Sequence, residues 1–158
     1  MTLSHLDEAG RARMVDVGAK SPTARRAVAE GAVRMSAEAF AAVRDQAVAK
    51  GDVLPVSELA GMMAAKRTAD LIPLCHPLAL DHVAVTAELD ETLPGVRIVA
   101  ETRAVARTGV EMEALMAVAV ACLTVYDMVK AADRGAEVLS VRLVEKEGGR
   151  RGPWHREP

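Results

Sequence analysis

Aromatic residues are nearly missing from this chain: Phe40, Tyr126 and Trp154 are the whole set in 158 residues. A core of stacked rings is therefore excluded, and Ala, Val, Leu and Met must fill the interior. Cysteine is equally scarce. Cys75 and Cys122 lie far apart, with no CxxC pair and no zinc-ligand spacing, so each reads as a reduced cytosolic thiol. His5, His82 and His155 belong to no motif, and neither H-E-x-x-H nor a His pair at helical spacing occurs, so no metal site is expected. A dominant charge of one sign is also lacking. The formal net charge of −2 advertises neither a nucleic-acid nor a membrane partner, so any anion binding must come from local cationic clusters. The longest apolar run, Ala114–Val125, is too short to span a bilayer, and Met1–Arg13 has no apolar signal-peptide core. These absences point to a soluble, cytoplasmic protein. Both standard nucleotide cradles, G-x-x-x-x-G-K-[ST] and G-x-G-x-x-G, are absent too.

What is present suits one domain over residues 1–158, with Met1–Arg13 and Gly148–Pro158 expected as mobile arms. Alternating Ala27, Ala29, Gly31, Val33 and Met35 predict a strand over Arg25–Met35. Ser36 then caps a helix with Phe40, Val43 and Ala47 on one face, closed by the Lys50-Gly51-Asp52 turn. After Pro55, a second helix is expected over about Ser57–Asp70, with Leu59, Met62, Met63 and Lys66 at helical spacing and Pro73 as its stop. Two alternating stretches flank the turn Leu93-Pro94-Gly95, the first with Val83, Val85 and Ala87, the second with Val96, Ile98 and Ala100. A long helix follows from Gly109 to about Ala132, apolar nearly all round, and Leu139, Val141 and Leu143 give a last strand. The order predicts an α+β, ferredoxin-like β-α-β-β-α-β fold with an extra helix in the first crossover and an antiparallel sheet. Helices would cover one sheet face. The weakly charged Ala, Val and Thr alternations suggest that another subunit covers the other.

Three segments could carry chemistry. In the first, His76 sits between Cys75 and Pro77, just past a helix bearing Lys66 and Arg67. A histidine steadied by proline near cations suits acid–base work or phosphate contact, but this segment alone slightly favours a loop histidine that simply bonds the backbone. In the second, Thr108 and Glu111 have capping-box spacing, which gives Glu111 a structural role of its own. Glu113 lies about 200° further round the helix, so one face cannot hold both carboxylates. The helix dipole would hold such a carboxylate ionised, suited to a guanine-like N–H edge. In the third, Asp127 and Lys130 share a face, either as a surface ion pair or as a base beside a phosphate-binding lysine. Asp127 and Glu113 are about 21 Å apart on a straight helix, so one small ligand reaches both only if two chains build the site or the helix breaks between them. Lys20, Arg25, Lys50, Lys146 and Asp16 are further candidates, the cations as phosphate contacts.

The segments Ala64–Thr68 with Leu71–Leu78, Thr108–Leu115 and Tyr126–Ala131 resemble the cyclic pyranopterin monophosphate synthase (MoaC) family, as do Met14–Val17 and Lys50–Val53. The likeness runs in order from about residue 14 to 150. It implies a ferredoxin-like homohexamer, a trimer of dimers with sites at the dimer interface. It implies a lyase of molybdenum cofactor biosynthesis that turns a 3′,8-cyclised dihydro-GTP into a cyclic-phosphate pyranopterin and releases pyrophosphate. No tightly bound cofactor is implied, though Mg²⁺ could accompany the triphosphate. By the same likeness Asp127 is the general acid/base, with Lys50 and Lys130 as catalytic lysines. Leu74, Cys75, His76, Met112, Glu113, Glu111, Asp16, Arg25 and Lys66 are then substrate contacts. Met116 stands where the family often has Thr, and Arg150 where it often has Lys. Two other readings remain: a nucleotide-sensing module that binds without chemistry, and a purely structural assembly subunit. Pyrophosphate release separates the sensor from the enzyme, and charge removal at Lys50 that leaves every ligand response untouched would mark the structural subunit.

Overall fold

The computed structural model describes residues 9–157. Strand β1 (Thr23–Arg34) opens the fold, followed by helices α1 (Ala37–Arg44), α2 (Val53–Ala65) and the single turn α3 (Thr68–Leu71). Strands β2 (His82–Asp90) and β3 (Gly95–Ala106) form a hairpin. The long helix α4 (Glu111–Val129), β4 (Glu137–Glu147) and a short β5 (Trp154–His155) complete the chain. The sheet order is β2-β3-β1-β4-β5, and every neighbouring pair is antiparallel. The first four strands have the ferredoxin-like arrangement, and β5 adds an edge.

The scarcity of aromatics decides how the layers pack. Ala114, Ala117 and Ala121 of α4 are fully buried, as are Ala27, Ala29 and Ala100 of the sheet beneath. Small side chains let the helix axis sit close to the strands, and Val33, Val96, Ile98, Val118 and Val125 fill the remaining space. Full burial of each larger aliphatic stabilises the fold by about 1.5–3 kcal/mol. By length and composition α4 could cross a membrane, with a mean hydropathy of 1.7. It is longer than the run Ala114–Val125 that the sequence suggested. Its buried face is already taken by the sheet and α2, which accounts for its apolarity.

Several boundaries differ from the sequence expectation. Helix α1 is capped by Ser36, whose Oγ accepts from Ala39 N at 3.2 Å, but it ends at Arg44 rather than at the Gly51 turn. Gln46 takes the left-handed conformation with φ 53°, and Ala47 N donates to Ala42 O at 2.8 Å. That is a Schellman ending made without glycine, and it leaves Ala47 outside the helix. Helix α2 begins before Pro55, because a proline in the first turn removes an N–H that has no helical partner anyway. It buries Val53, Ser57, Gly61, Ala64 and Ala65, so Leu59 and Met63 face outward. Arg67 breaks the helix, and only α3 continues it toward Pro73.

The sheet's second face is more charged than its Ala, Val and Thr alternation suggested. Arg26 pairs with Glu101 at 2.8 Å and with Glu145, and Arg142 pairs with Glu30 at 2.5 Å. Val99 and Val105 stand exposed among them. Part of the C-terminal segment expected as a mobile arm forms a short strand: β5 pairs Trp154 with Lys146 and His155 with Glu145. The N-terminal arm expected over Met1–Arg13 lies mostly outside the described residues.

Candidate active site

The two ends of α4 carry separate clusters. At its N-terminal end a cavity of about 580 Å³ opens between the start of the helix, the loop after α3 and the chain that follows β4. Pro73 ends the short helical turn, and Cys75 N donates to Ile72 O at 3.1 Å, which sets Leu74, Cys75 and His76 along one wall. His76 Nε2 lies 2.8 Å from the carbonyl of Val15. A carbonyl only accepts, so Nε2 carries the hydrogen in this contact. The contact also ties the segment before β1 to this wall, and Val15 and Val17 line the cavity.

The opposite wall is the first turn of α4. Its N-cap is Val110, with no side-chain cap, and Thr102 Oγ1 donates to Val110 O at 2.9 Å. The capping box expected from Thr108 and Glu111 is therefore not formed. The Glu111 carboxylate instead folds over Gly109, where a Cβ would meet its Oε2 at 1.8 Å, and it approaches Lys146 at 4.0 Å. Glu113 is 4% exposed and lines the same cavity, with Met112 between the two. The cavity wraps around the helix end, so carboxylates on different helical faces both reach it. Burial raises the Glu113 pKa, and the neighbouring Glu111 adds to the rise. This reverses the expected influence of the helix dipole. Burial and the Glu113 charge also push the Cys75 thiol upward, so it is no ready thiolate nucleophile.

Six cations face these two carboxylates: Lys20, Arg25, Arg107, Lys146, Arg150 and Arg151. Arg25 Nε donates to Ala106 O at 3.3 Å, which anchors it at the end of β1. Arg107 and Arg151 were not singled out from the sequence. Their only signals were adjacency, to Thr108-Gly109 in one case and to Arg150 in the other. Two expected contacts are placed elsewhere. Asp16 points its Oδ1 at Gly18 N, 2.8 Å away, and serves a turn. Lys66 lines a different hollow with Met62, Leu80 and Asp81. Among the described residues, no group of three or more His, Cys, Asp or Glu side chains could hold a metal ion.

The second cluster lies at the other end of α4. Asp127 Oδ1 is 2.6 Å from Lys130 Nζ, and its Oδ2 is 2.6 Å from Lys50 Nζ. Lys50 reaches it from the turn before α2 and also donates to the Asp127 carbonyl at 2.8 Å. Lys130, then Lys50, lowers the Asp127 pKa to about 2, and Asp127 raises that of Lys130. The carboxylate is thus ionised and the Lys130 ammonium protonated at neutral pH. The three side chains are about half exposed. Fourteen residues of one helix separate Asp127 from Glu113, about 21 Å at 1.5 Å per residue.

The ferredoxin-like sheet, the cation-lined cavity and the carboxylate held by two lysines define an α+β enzyme acting on a small molecule. The sequence pattern of the MoaC family matches residues 14–149, and the chain belongs to that family. Its relatives include proteins named cyclic pyranopterin monophosphate synthase from Brucella ovis, Brucella abortus and Brucella canis. Each is 59% identical over 152 residues, spanning 96% of this chain and 92% of the relative.

Proposed function

We propose that the chain is a lyase of molybdenum cofactor biosynthesis. It converts (8S)-3′,8-cyclo-7,8-dihydroguanosine 5′-triphosphate into cyclic pyranopterin monophosphate and releases pyrophosphate. The observation that carries the substrate class is the cavity at the start of α4, where six cations stand opposite a buried carboxylate. A triphosphate needs the former, and the N–H edge of a guanine-derived ring suits the latter.

The residues divide the work by chemistry. Rebuilding the ring demands repeated proton transfers. Asp127 is the ionised acceptor, and Lys130 and Lys50 are ammonium groups within hydrogen-bond reach of it. Closing the cyclic phosphate joins a hydroxyl oxygen of the sugar-derived part to the α-phosphorus, its proton passing to a base; the bond from the α-phosphorus to the bridging oxygen breaks, and pyrophosphate leaves with the electron pair. Arg25, Lys146 and neighbouring cations offset that charge as it develops. His76, Leu74, Cys75, Met112, Glu111 and Glu113 shape the ring pocket. This reading assigns no tightly bound cofactor, and Mg²⁺ would enter only on the triphosphate.

The separation of about 21 Å within α4 supports an assembly in which one chain supplies the cavity and its partner supplies Asp127, Lys50 and Lys130. We assign that assembly as a homohexamer, a trimer of dimers, working in the cytoplasm. The test is pyrophosphate release from the cyclised GTP derivative, wild type beside Lys50→Ala. Release by the wild type that Lys50→Ala abolishes is expected. Binding without release overturns the reaction, and undiminished release by Lys50→Ala removes Lys50 from it.

A further inference from the structure

The turn between α4 and β4 carries a carboxylate that the proposed reaction does not use. Asp133 aims its two oxygens at different elements. Its Oδ1 accepts from Gly135 N at 2.8 Å, inside the turn, and its Oδ2 accepts from Ser36 N at 2.7 Å, at the start of α1. The turn is itself fixed on α4. Asp133 N donates to Val129 O at 3.0 Å, and the Tyr126 hydroxyl donates to Arg134 O at 3.2 Å.

The Ser36 contact completes a helix cap from outside the helix. Ser36 Oγ accepts from Ala39 N at 3.2 Å, which is one half of a capping box. The other half is a carboxylate or amide on the N3 residue that takes the N-cap N–H, and this chain has Ala39 there. Asp133 supplies the missing carboxylate from another element. The dipole of α1 favours a negative charge at that end.

Helix α1 carries the consequence to Lys50. Its buried face of Ala39, Phe40 and Val43 settles which side looks inward. Hydrophobic burial is non-directional, whereas a charge-assisted hydrogen bond fixes distance and direction. The loop after α1 is closed on itself. Ala47 N donates to Ala42 O at 2.8 Å, Gly51 N to Val48 O at 3.0 Å, and Gln46 Nε2 to Asp52 Oδ2 at 3.2 Å. Lys50 leaves that loop and returns to α4, where it meets the Asp127 carboxylate and carbonyl. The end of α4 thus grips α1 and its loop at both ends, at Ser36 through Asp133 and at Lys50 through Asp127. A lysine has a flexible stem and an exposed head here, so its hydrogen bonds depend on where the backbone stands.

We propose that Asp133 is a positioning residue for the reaction: by holding Ser36 it keeps α1 and its loop where Lys50 closes on Asp127. Asp133 acts through Lys50 and touches no substrate. The inference rests on the catalytic reading of Lys50 and Asp127 given above.

The readout is hydrogen exchange of the lysine ammonium groups, followed by lysine-selective nitrogen NMR in the full-length protein. The Lys50 signal is identified by its absence in Lys50→Arg. Lys130 is the internal reference, because it reaches Asp127 from the same helix and does not depend on α1. In Asp133→Ala the Lys50 ammonium exchanges about tenfold faster and Lys130 does not change. In the same variant kcat falls about tenfold and KM stays within about twofold. Asp133→Asn, which keeps the shape and one acceptor, moves Lys50 exchange and kcat in the same sense and by less. Ser36→Ala is the control for helix stability. It removes the Oγ cap and lowers the melting temperature, but it keeps the backbone N–H that Asp133 holds, so Lys50 exchange and kcat stay those of the wild type. Unchanged Lys50 exchange in either Asp133 variant overturns the proposal. An equal effect in Ser36→Ala does so too, by assigning it to helix stability alone. Faster Lys50 exchange with wild-type kcat removes Asp133 from the reaction. The exchange measurement needs no turnover. A wild type that releases no pyrophosphate refutes the reaction, and the exchange rates still decide whether Asp133 places Lys50.

Discussion

Lys50 Nζ touches Asp127 twice, at 2.6 Å from Oδ2 and 2.8 Å from the main-chain carbonyl. A turn residue thus closes on the last turn of α4, and Lys130 holds the other carboxylate oxygen. Asp127→Asn keeps the shape and removes the charge. Turnover is expected to fall about 10²–10⁴-fold, the usual range for a general base. The cluster is exposed, so the melting temperature should hardly move. The Asp127 pKa is depressed to about 2, so its small stabilising contribution is complete above the ordinary value of 3.8 and fades as pH falls toward 2. Carboxyl-carbon NMR at acid pH reads that titration directly.

Glu113 behaves in the opposite sense. Burial raises its pKa, so the folded state holds the proton more tightly than the unfolded chain does. Stability from this group is complete below the ordinary value of 4.5 and is lost as pH rises through the raised folded value. Glu113→Gln is therefore expected to gain about 1 kcal/mol at neutral pH, a stabilisation typical of relieving a functional site. The same change should lower kcat/KM about tenfold or more through the lost charged hydrogen bond. Denaturant titrations at acid and neutral pH check the first, and steady-state kinetics the second.

If one site takes its cavity from one chain and its lysines from another, two impaired variants should rescue each other. Mixed in equal amounts after dissociation, Lys50→Ala and Glu113→Gln chains form hybrid dimers with one intact site each. About a quarter of the wild-type activity is expected to return, from random pairing in a twofold dimer. No recovery after verified subunit exchange places both clusters in one chain.

Gln46 closes α1 with φ 53°, a conformation that costs an ordinary residue and not glycine. Gln46→Gly gives up one exposed hydrogen bond to Asp52 and should still stabilise the protein by about 1 kcal/mol. The melting temperature would rise by about 3 °C. A fall would show that the Asp52 contact outweighs the backbone strain.

The strands and the long helix were legible because their periodicity follows burial on one sheet face, from Ala27–Val33 and Val96–Ala100 to Ala114–Val125. The family motifs also pointed to both clusters of α4. What the sequence hid was set by tertiary contact or by weak local signals. Gln46 ends a helix where glycine was the expected marker, and Pro55 sits inside a helix it seemed to precede. Thr102, nine residues before Glu111, holds the Val110 carbonyl, and the expected capping box does not form. Asp16 and Lys66 lie in motif-like segments but are not among the residues lining the cavity, whereas Arg107 and Arg151 are. The short β5 pairs only two residues with β4, too few for an alternation to show.

The poverty of aromatics has a practical consequence. The one tryptophan sits in β5 under Arg156, and the one tyrosine precedes Asp127 and donates its hydroxyl to Arg134 O at 3.2 Å. The tyrosine thus stands at the C-terminal end of α4, and the tryptophan pairs with Lys146, which lines the cavity at the other end. Emission excited at the red edge reports β5 alone, and tyrosine emission in a Trp154→Phe background reports the lysine cluster. Ligand arrival at the two ends can be timed separately in unlabelled protein.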